Sequence, residues 1–138
     1  MKKNKITMII LSLIVLSTVI YGFMDGGSPQ AARNKRFDEK RIQDVQQIKN
    51  WVNSYYNTNK VLPSTVLEAS AKYNNSGNIK VPTDPETDIE YQYQIVGSKE
   101  YKLCATFGTN TISSTPQYLI GYSHPSGLFC FTFNGDKY

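Results

Sequence analysis

The sequence predicts an α+β fold: a transmembrane helix at the N-terminus, a linker, and an amphipathic helix packed on a small four-stranded antiparallel sheet. Three observations predict it. Ile6 to Met24 is an uncharged, mostly apolar run of 19 residues behind Lys2, Lys3 and Lys5. Apolar residues between Phe37 and Tyr55 recur at helical spacing. From Tyr91 onward the apolar period changes to two.

The apolar run comes first. At ~1.5 Å per residue it spans about 28 Å, close to the ~30 Å hydrocarbon core of a bilayer. Ile6, Ile10, Leu13, Leu16, Ile20 and Phe23 are the expected lipid-facing anchor. A cleaved signal peptide has a shorter apolar region, about 7–15 residues, followed by a small-residue site. Tyr21-Gly22-Phe23-Met24-Asp25 offers no such site, and no cysteine precedes Cys104 to accept a lipid. A retained anchor is therefore expected. Residues 1–24 are read as cytoplasmic tip and anchor, 25–33 as linker, and 34–138 as the outer domain.

Charge narrows the partners. All 11 acids follow the apolar run, whereas three of the 15 basic residues precede it. The outer part is thus nearly neutral, which argues against a nucleic-acid partner and leaves the lipid bilayer. Lys2, Lys3 and Lys5 favour a cytoplasmic N-terminus. Arg33, Lys35, Arg36, Lys40 and Arg41 beyond the run weaken that rule. The two cysteines add to it: Cys104 and Cys130 both fall in strand-like segments of the outer domain. Such a pair behind an anchor reads as a disulfide in an oxidising, extracytoplasmic compartment. The alternative is two buried thiols acting as small hydrophobes.

The remaining elements follow in order. Asp25 to Gln30 (DGGSPQ) has linker composition. A helix is expected from near Asn34, with Phe37, Val45, Ile48, Val52 and Tyr55 on its apolar face and Ile42 and Trp51 flanking. Asp38, Arg41 and Asp44 are placed with the polar residues between them. Asn57-Thr58-Asn59 and Pro63 end the helix. Ser64 is the expected cap of a short helix over Thr65 to Tyr73. Asn74 to Asn78 is a polar turn, and Pro82, Asp84 and Pro85 break regular structure. Strands are expected at Tyr91 to Ile95, Tyr101 to Phe107, Tyr118 to Tyr122 and Leu128 to Phe133, with turns at Gly97-Ser98 and His124 to Gly127.

This order resembles a type IV pilin. The residues are most similar to the major pseudopilins of type II secretion and related pilin-like surface proteins. The likeness lies in Asp44 to Tyr56 (DVQQIKNWVNSYY), in Asn57 to Ser64 (NTNKVLPS), and in the Pro-x-Asp-Pro segment running into a Tyr-rich strand, Pro82 to Tyr93 (PTDPETDIEYQY). Cys104 and Cys130 look like those of a disulfide-bearing branch. The resemblance implies a pilin-like fold and a structural or assembly role, with other pilin-like subunits or a secretion or pilus assembly platform as partners. Prepilins are cut after a Gly just before the apolar run and carry a Glu shortly after the cut. Here no Gly precedes Ile6, and the first acid is Asp25. The chain lacks a recognisable prepilin peptidase site, which leaves a second reading: a non-polymerising cell-surface binding module with an unknown ligand.

The chemistry is sparse. Asp84, Glu86, Asp88 and Glu90 alternate, and the resembled pseudopilins have a calcium site in their C-terminal region. Asp84, Glu86 and Asp88 are therefore the calcium candidates, but an EF-hand loop from Asp84 would need Gly and Glu where Ile89 and Ile95 stand. His124, the single histidine, has no Cys or His at ligand spacing and reads as a turn residue. Ser126 is outside a G-x-S-x-G frame. With no nucleophile–base pair and no phosphate loop, no catalytic residue or other cofactor is expected, and the chain reads as a non-enzyme. The many tyrosines suit a small sheet core.

Overall fold

The computed structural model describes residues 2–25, 28–71, 80–111 and 121–136. The elements are α1 (Lys2–Asp25), α2 (Pro29–Asn59), α3 (Val66–Ala71), β1 (Gln92–Ile95), β2 (Glu100–Phe107) and β3 (Gly127–Asn134). They belong to two units, Met1–Arg33 and Asn34–Tyr138.

In the first unit, the stretch Lys5–Gly22 of α1 is long and apolar enough to cross a membrane. Ile6, Ile10, Leu13, Leu16 and Ile20 are each more than half exposed, and Phe23 lies within the helix. Ser17 and Thr18 donate their hydroxyls back to the Ile14 and Val15 carbonyls at 2.8 Å. Polar groups in an otherwise apolar helix are satisfied that way without outside help.

α2 starts earlier than its apolar pattern suggests, at Pro29 rather than near Asn34. Ser28 Oγ accepts the Ala31 amide at 3.1 Å and so caps the helix. Pro29 occupies the first helical position, where a missing N–H is no handicap. The part of the expected linker from Pro29 to Arg33 is therefore helical. The other end matches the expected stop. Asn59 is the last helical residue, and Lys60 turns left-handed (φ 61°) while its amide reaches the Tyr56 carbonyl at 2.7 Å.

Val45, Ile48 and Val52 are fully buried, with Ile42, Trp51 and Tyr56 beside them. They pack with Tyr101, Leu103, Ala105, Phe107 and Phe131 of the sheet. The flanks are more buried than expected, and Tyr55 and Phe37 are only half-buried. A larger correction concerns charge. Asp38, Arg41 and Asp44, expected among the outer polar residues, are buried on the same side as the apolar stripe. At α3 the cap is Thr65 rather than Ser64. Thr65 Oγ1 accepts the Glu68 amide at 3.1 Å, and Glu68 reaches back to the Ser64 amide and hydroxyl at 2.7 and 2.6 Å. This is the reciprocal pattern of a capping box, set one residue back.

The sheet has three strands among the described residues, in the order β1-β2-β3, all antiparallel. Of the expected fourth strand, residues 118–120 lie outside the described residues, and Gly121 and Tyr122 are not in a strand. The turn expected at Asn74 to Asn78 also lies outside them. Two hydrogen bonds set the parity of the ladder. The Val96 amide reaches Glu100 O at 2.9 Å, and the Gly135 amide reaches Lys99 O at 2.8 Å. Even-numbered residues of β2 thus turn their backbone groups to β1, and odd-numbered ones to β3. Cys104 and Cys130 face each other in register at a non-hydrogen-bonded pair, where side chains approach most closely. They form a disulfide with an S–S distance of 2.08 Å. It closes a loop of 26 positions, for which unfolded-chain entropy gives roughly 3.5 kcal/mol of stabilisation. Just past β3, a Cβ on Gly135 would lie 2.7 Å from the Tyr56 ring, so only glycine lets the strand end close on α2.

The packing predicts a contrast between neighbours on α2. Ile48→Ala should cost about 2–5 kcal/mol of unfolding free energy, as large-to-small core changes do. Gln47→Ala, on the exposed face, should change it by less than about 0.5 kcal/mol. Denaturant unfolding of the two variants checks the helix phase, since equal losses would mean it is misassigned.

Candidate functional site

The most highly organised cluster of charged side chains is built around Arg41. Asp38 and Arg41 are three residues apart on α2 and so share a face. The Arg41 guanidinium donates from Nη1 to Asp38 Oδ1 at 2.9 Å. It also grips Asp84 with two bonds, Nε to Oδ2 at 2.6 Å and Nη2 to Oδ1 at 3.1 Å. Nη2 donates as well to Glu86 Oε2 at 2.9 Å. Planar fork-to-carboxylate pairing is the strong form of such bonds. Arg41, Asp38 and Asp84 are almost fully buried, whereas the Glu86 side chain is half exposed.

Each carboxylate also organises backbone. Asp84 Oδ1 accepts the Glu86 and Thr87 amides at 3.0 and 3.1 Å. The Asp84 amide reaches Ile89 O at 2.8 Å, and the Asp88 amide reaches Asp84 O at 2.9 Å. The turn closes with Asp88 left-handed at φ 56°. Asp38 meanwhile accepts the Gly108 and Thr109 amides at 2.9 and 2.8 Å and the Thr109 hydroxyl at 2.6 Å. One guanidinium therefore joins α2, the 84–90 turn and the chain leaving β2.

The electrostatics follow from this geometry. The hydrogen bonds that Arg41 donates to Asp84, against the cost of burial, push the Arg41 pKa further up. Burial alone would raise the Asp84 carboxyl. The Arg41 hydrogen bond and the Glu86 and Thr87 amides outweigh it and hold the group below its usual value. Asp44, next to the clamp on α2, accepts the Tyr91 hydroxyl at 3.0 Å and pairs with Lys40. Burial, followed by the Asp44 charge, drives the Tyr91 hydroxyl well above the ordinary tyrosine range. Tyr101 is raised by burial too and donates to Asn53 Oδ1 at 2.7 Å. Tyr93, pushed up to about 12 by burial and Glu68, donates to Pro63 O at 2.9 Å. These three tyrosines are neutral core residues with satisfied hydroxyls, not proton carriers.

Two clefts lie nearby. One of about 320 Å³ runs past the clamp, with Glu86, Ile89, Glu90, Thr106 and Leu128 among its walls. The other, of about 590 Å³, lies between Ser64–Leu67 and Lys80–Thr83, over Ile48, Tyr91 and Tyr93. His124 is elsewhere and fully buried. Its ring stacks 3.6 Å from that of Phe107, and its backbone amide and carbonyl pair with Thr111. It is a packed residue of the segment leading into β3 rather than part of a regular turn.

The calcium candidates are placed together, but not as a cation site. Asp84 and Glu86 converge on Arg41, whereas Asp88 contributes its backbone amide, which reaches Asp84 O at 2.9 Å. Among the described residues no three metal-ligating side chains are grouped to hold an ion. The donor set does not fit calcium, because a cation already lies at its centre. The disulfide brings Cys104 and Cys130 together on the sheet face opposite the core. What sequence reading missed is the pair Asp38 and Arg41. The signal was present: residues 38, 41, 45, 48 and 52 share one three-four spacing, so the charged pair continues the apolar stripe. Compared with known protein families, curated proteins and solved structures, the chain matches none.

The clamp predicts acid lability. Asp84 has a depressed folded-state pKa, so its stabilisation is complete above the unfolded value of about 3.9. It is lost as pH falls through the lower folded value. Circular dichroism against pH should show unfolding below about pH 4 that Asp84→Asn flattens. Arg41→Ala should cost about 3–5 kcal/mol at neutral pH, because it strands buried carboxylates.

Proposed function

We propose that this is a membrane-anchored protein whose outer, pilin-like domain acts structurally in a pilus- or secretion-type assembly. The observation that carries this reading is the order of its parts. An apolar helix able to span a bilayer is followed by a long amphipathic helix packed on an antiparallel sheet, and the sheet is locked by a disulfide. The disulfide supports an oxidising, extracytoplasmic location for the domain, and Lys2, Lys3 and Lys5 support a cytoplasmic N-terminus. The partners in this reading are the lipid bilayer and other pilin-like subunits or an assembly platform. The charged side chains that converge do so to hold elements together, which suits a structural part.

One observation favours the second reading, an anchored surface module that binds a ligand and does not polymerise. Lys2, Lys3 and Lys5 stand ahead of the apolar run. Burying unpartnered ammonium groups in an apolar filament core costs several kcal/mol each, of the order of ~2.5–3.5 on insertion scales.

Fractionation separates the possibilities. The protein is expected in the membrane pellet, and an impermeant thiol reagent should label Cys104 and Cys130 only after reduction. Labelling without reductant would remove the argument for the location. Recovery in sheared surface filaments, with Lys2, Lys3 and Lys5 absent by mass spectrometry, would establish an assembling subunit. A chain that keeps those lysines and stays out of the sheared fraction would instead be the non-polymerising module.

A further inference from the structure

The sheet ends on two edges, and they are not alike. The β1 edge is four residues long, and the bridge between Thr83 and Glu90 closes off its start. Short strands, charges and prolines are ordinary ways of blunting an edge. β3 has none of them. Its eight residues, Gly127 to Asn134 (GLFCFTFN), include no charge and no proline. An uncharged strand rich in aromatic residues readily pairs with another strand when its edge is open. The ladder parity identifies the open groups. Phe129, Phe131 and Phe133 exchange backbone bonds with Ala105, Leu103 and Tyr101 of β2. Leu128, Cys130, Thr132 and Asn134 therefore turn their amides and carbonyls away from β2, and no backbone partner meets them among the described residues. Leu128 and Thr132 are also exposed. The side chains have a symmetry of their own. Phe129, Phe131 and Phe133 line one face with successive rings 5.0 and 6.1 Å apart, a row centred on Phe131.

We propose that the open edge of β3 pairs antiparallel with β3 of a second copy of this chain. With Phe131 opposite its counterpart, Phe129 of each copy meets Phe133 of the other, so the whole Phe row is matched. A register moved by two residues either way loses part of that match, and one moved by a single residue sets the row against the other face. In the matched register Phe131 falls at a non-hydrogen-bonded pair, where side chains approach most closely. Cys130 with Thr132 and Leu128 with Asn134 are then the hydrogen-bonded pairs. Cross-strand aromatic pairs favour the contact, and no like charges oppose each other across it. The result is one continuous sheet closed by a two-fold axis, so the contact does not propagate. That axis is perpendicular to the sheet. Where it also stands normal to the bilayer, both anchors enter from one side, and confinement to the membrane raises the effective concentration of the pair. The contact belongs to the anchored chain itself and stands whether or not a filament forms.

The test uses the full chain in detergent micelles. Sedimentation equilibrium reads the protein mass per particle, and residue-resolved hydrogen exchange reads the seam. The wild type should pass from monomer to dimer as its concentration rises. In the dimer the amides of Cys130 and Thr132 should be protected along with those of Phe131 and Phe133. Thr132→Pro removes an outward amide that has no partner within the chain, which an edge strand tolerates, and sets a ring in the seam. It should return the protein to monomer and lose protection at Cys130, while Phe131 and Phe133 keep theirs. A wild type that stays monomeric at every concentration would overturn the proposal. So would a dimer whose Cys130 and Thr132 amides exchange freely, since it would be held elsewhere, at α1 for instance. If Thr132→Pro does not fold, Leu128→Lys, at the exposed start of the edge, is read in its place. A dimer that survives the folded variant with Cys130 still protected counts against the proposal.

Discussion

The unit Asn34–Tyr138 depends on a charge that cannot be left alone. Arg41 is buried, and a buried guanidinium is tolerable only when its donors are met. Meeting them fixes where three separate pieces of chain must be. Asp38 lies one turn back on α2, Asp84 and Glu86 lie in the turn before β1, and Asp38 in turn holds Gly108 and Thr109 at the end of β2. Apolar packing in the core that Ile48 and Leu103 share stabilises without specifying, because it tolerates small slides. The forked bonds of Arg41 do not, so they set the position of α2 over the sheet. A buried ionic cluster of this kind adds more to specificity than to net stability, since desolvation offsets much of the attraction.

The clamp, the disulfide and the Gly135 contact divide the work along the length of the sheet. The clamp pins the β2 terminus and the turn leading to β1. The Cys104–Cys130 bond joins the middle of β2 to the middle of β3. At the other end, the close approach of Gly135 to Tyr56 brings the end of β3 against the last turns of α2. A core this small, with α2 and α3 packed on the three described strands, gains from covalent and ionic staples what a larger domain obtains from buried area. Its charged residues hold elements together, and its buried tyrosines keep their protons.

Much of the architecture was legible from period and composition. The apolar run, the 45–48–52 stripe, the two-residue alternation of β2 and β3 and the turn at Gly97 all reflect local rules that hold wherever the segment sits. The start of α2 was legible less well, because DGGSPQ has linker composition while Ser28 and Pro29 are also a cap and a first helical residue. The cap of α3 slipped by one residue for a related reason. Ser64 and Thr65 are equally good caps, and only the backbone path chooses between them.

By itself, the sequence determined α1, the main span of α2 and the three described strands, the apolar stripe of α2, and that one helix could cross a bilayer. Those follow from neighbours along the chain. Tertiary structure alone decided which charges are inside and what they touch. Asp38 and Arg41 lie at stripe spacing, yet a charged pair on a helix is by default a solvated one, and burial requires donors and acceptors from 43 to 71 residues away. The alternating acids of the 84–90 turn were likewise ambiguous between metal, solvent and side-chain partners. The choice fell to Arg41 because the packing of α2 on the sheet puts its guanidinium where their oxygens converge, and no local pattern encodes that distance.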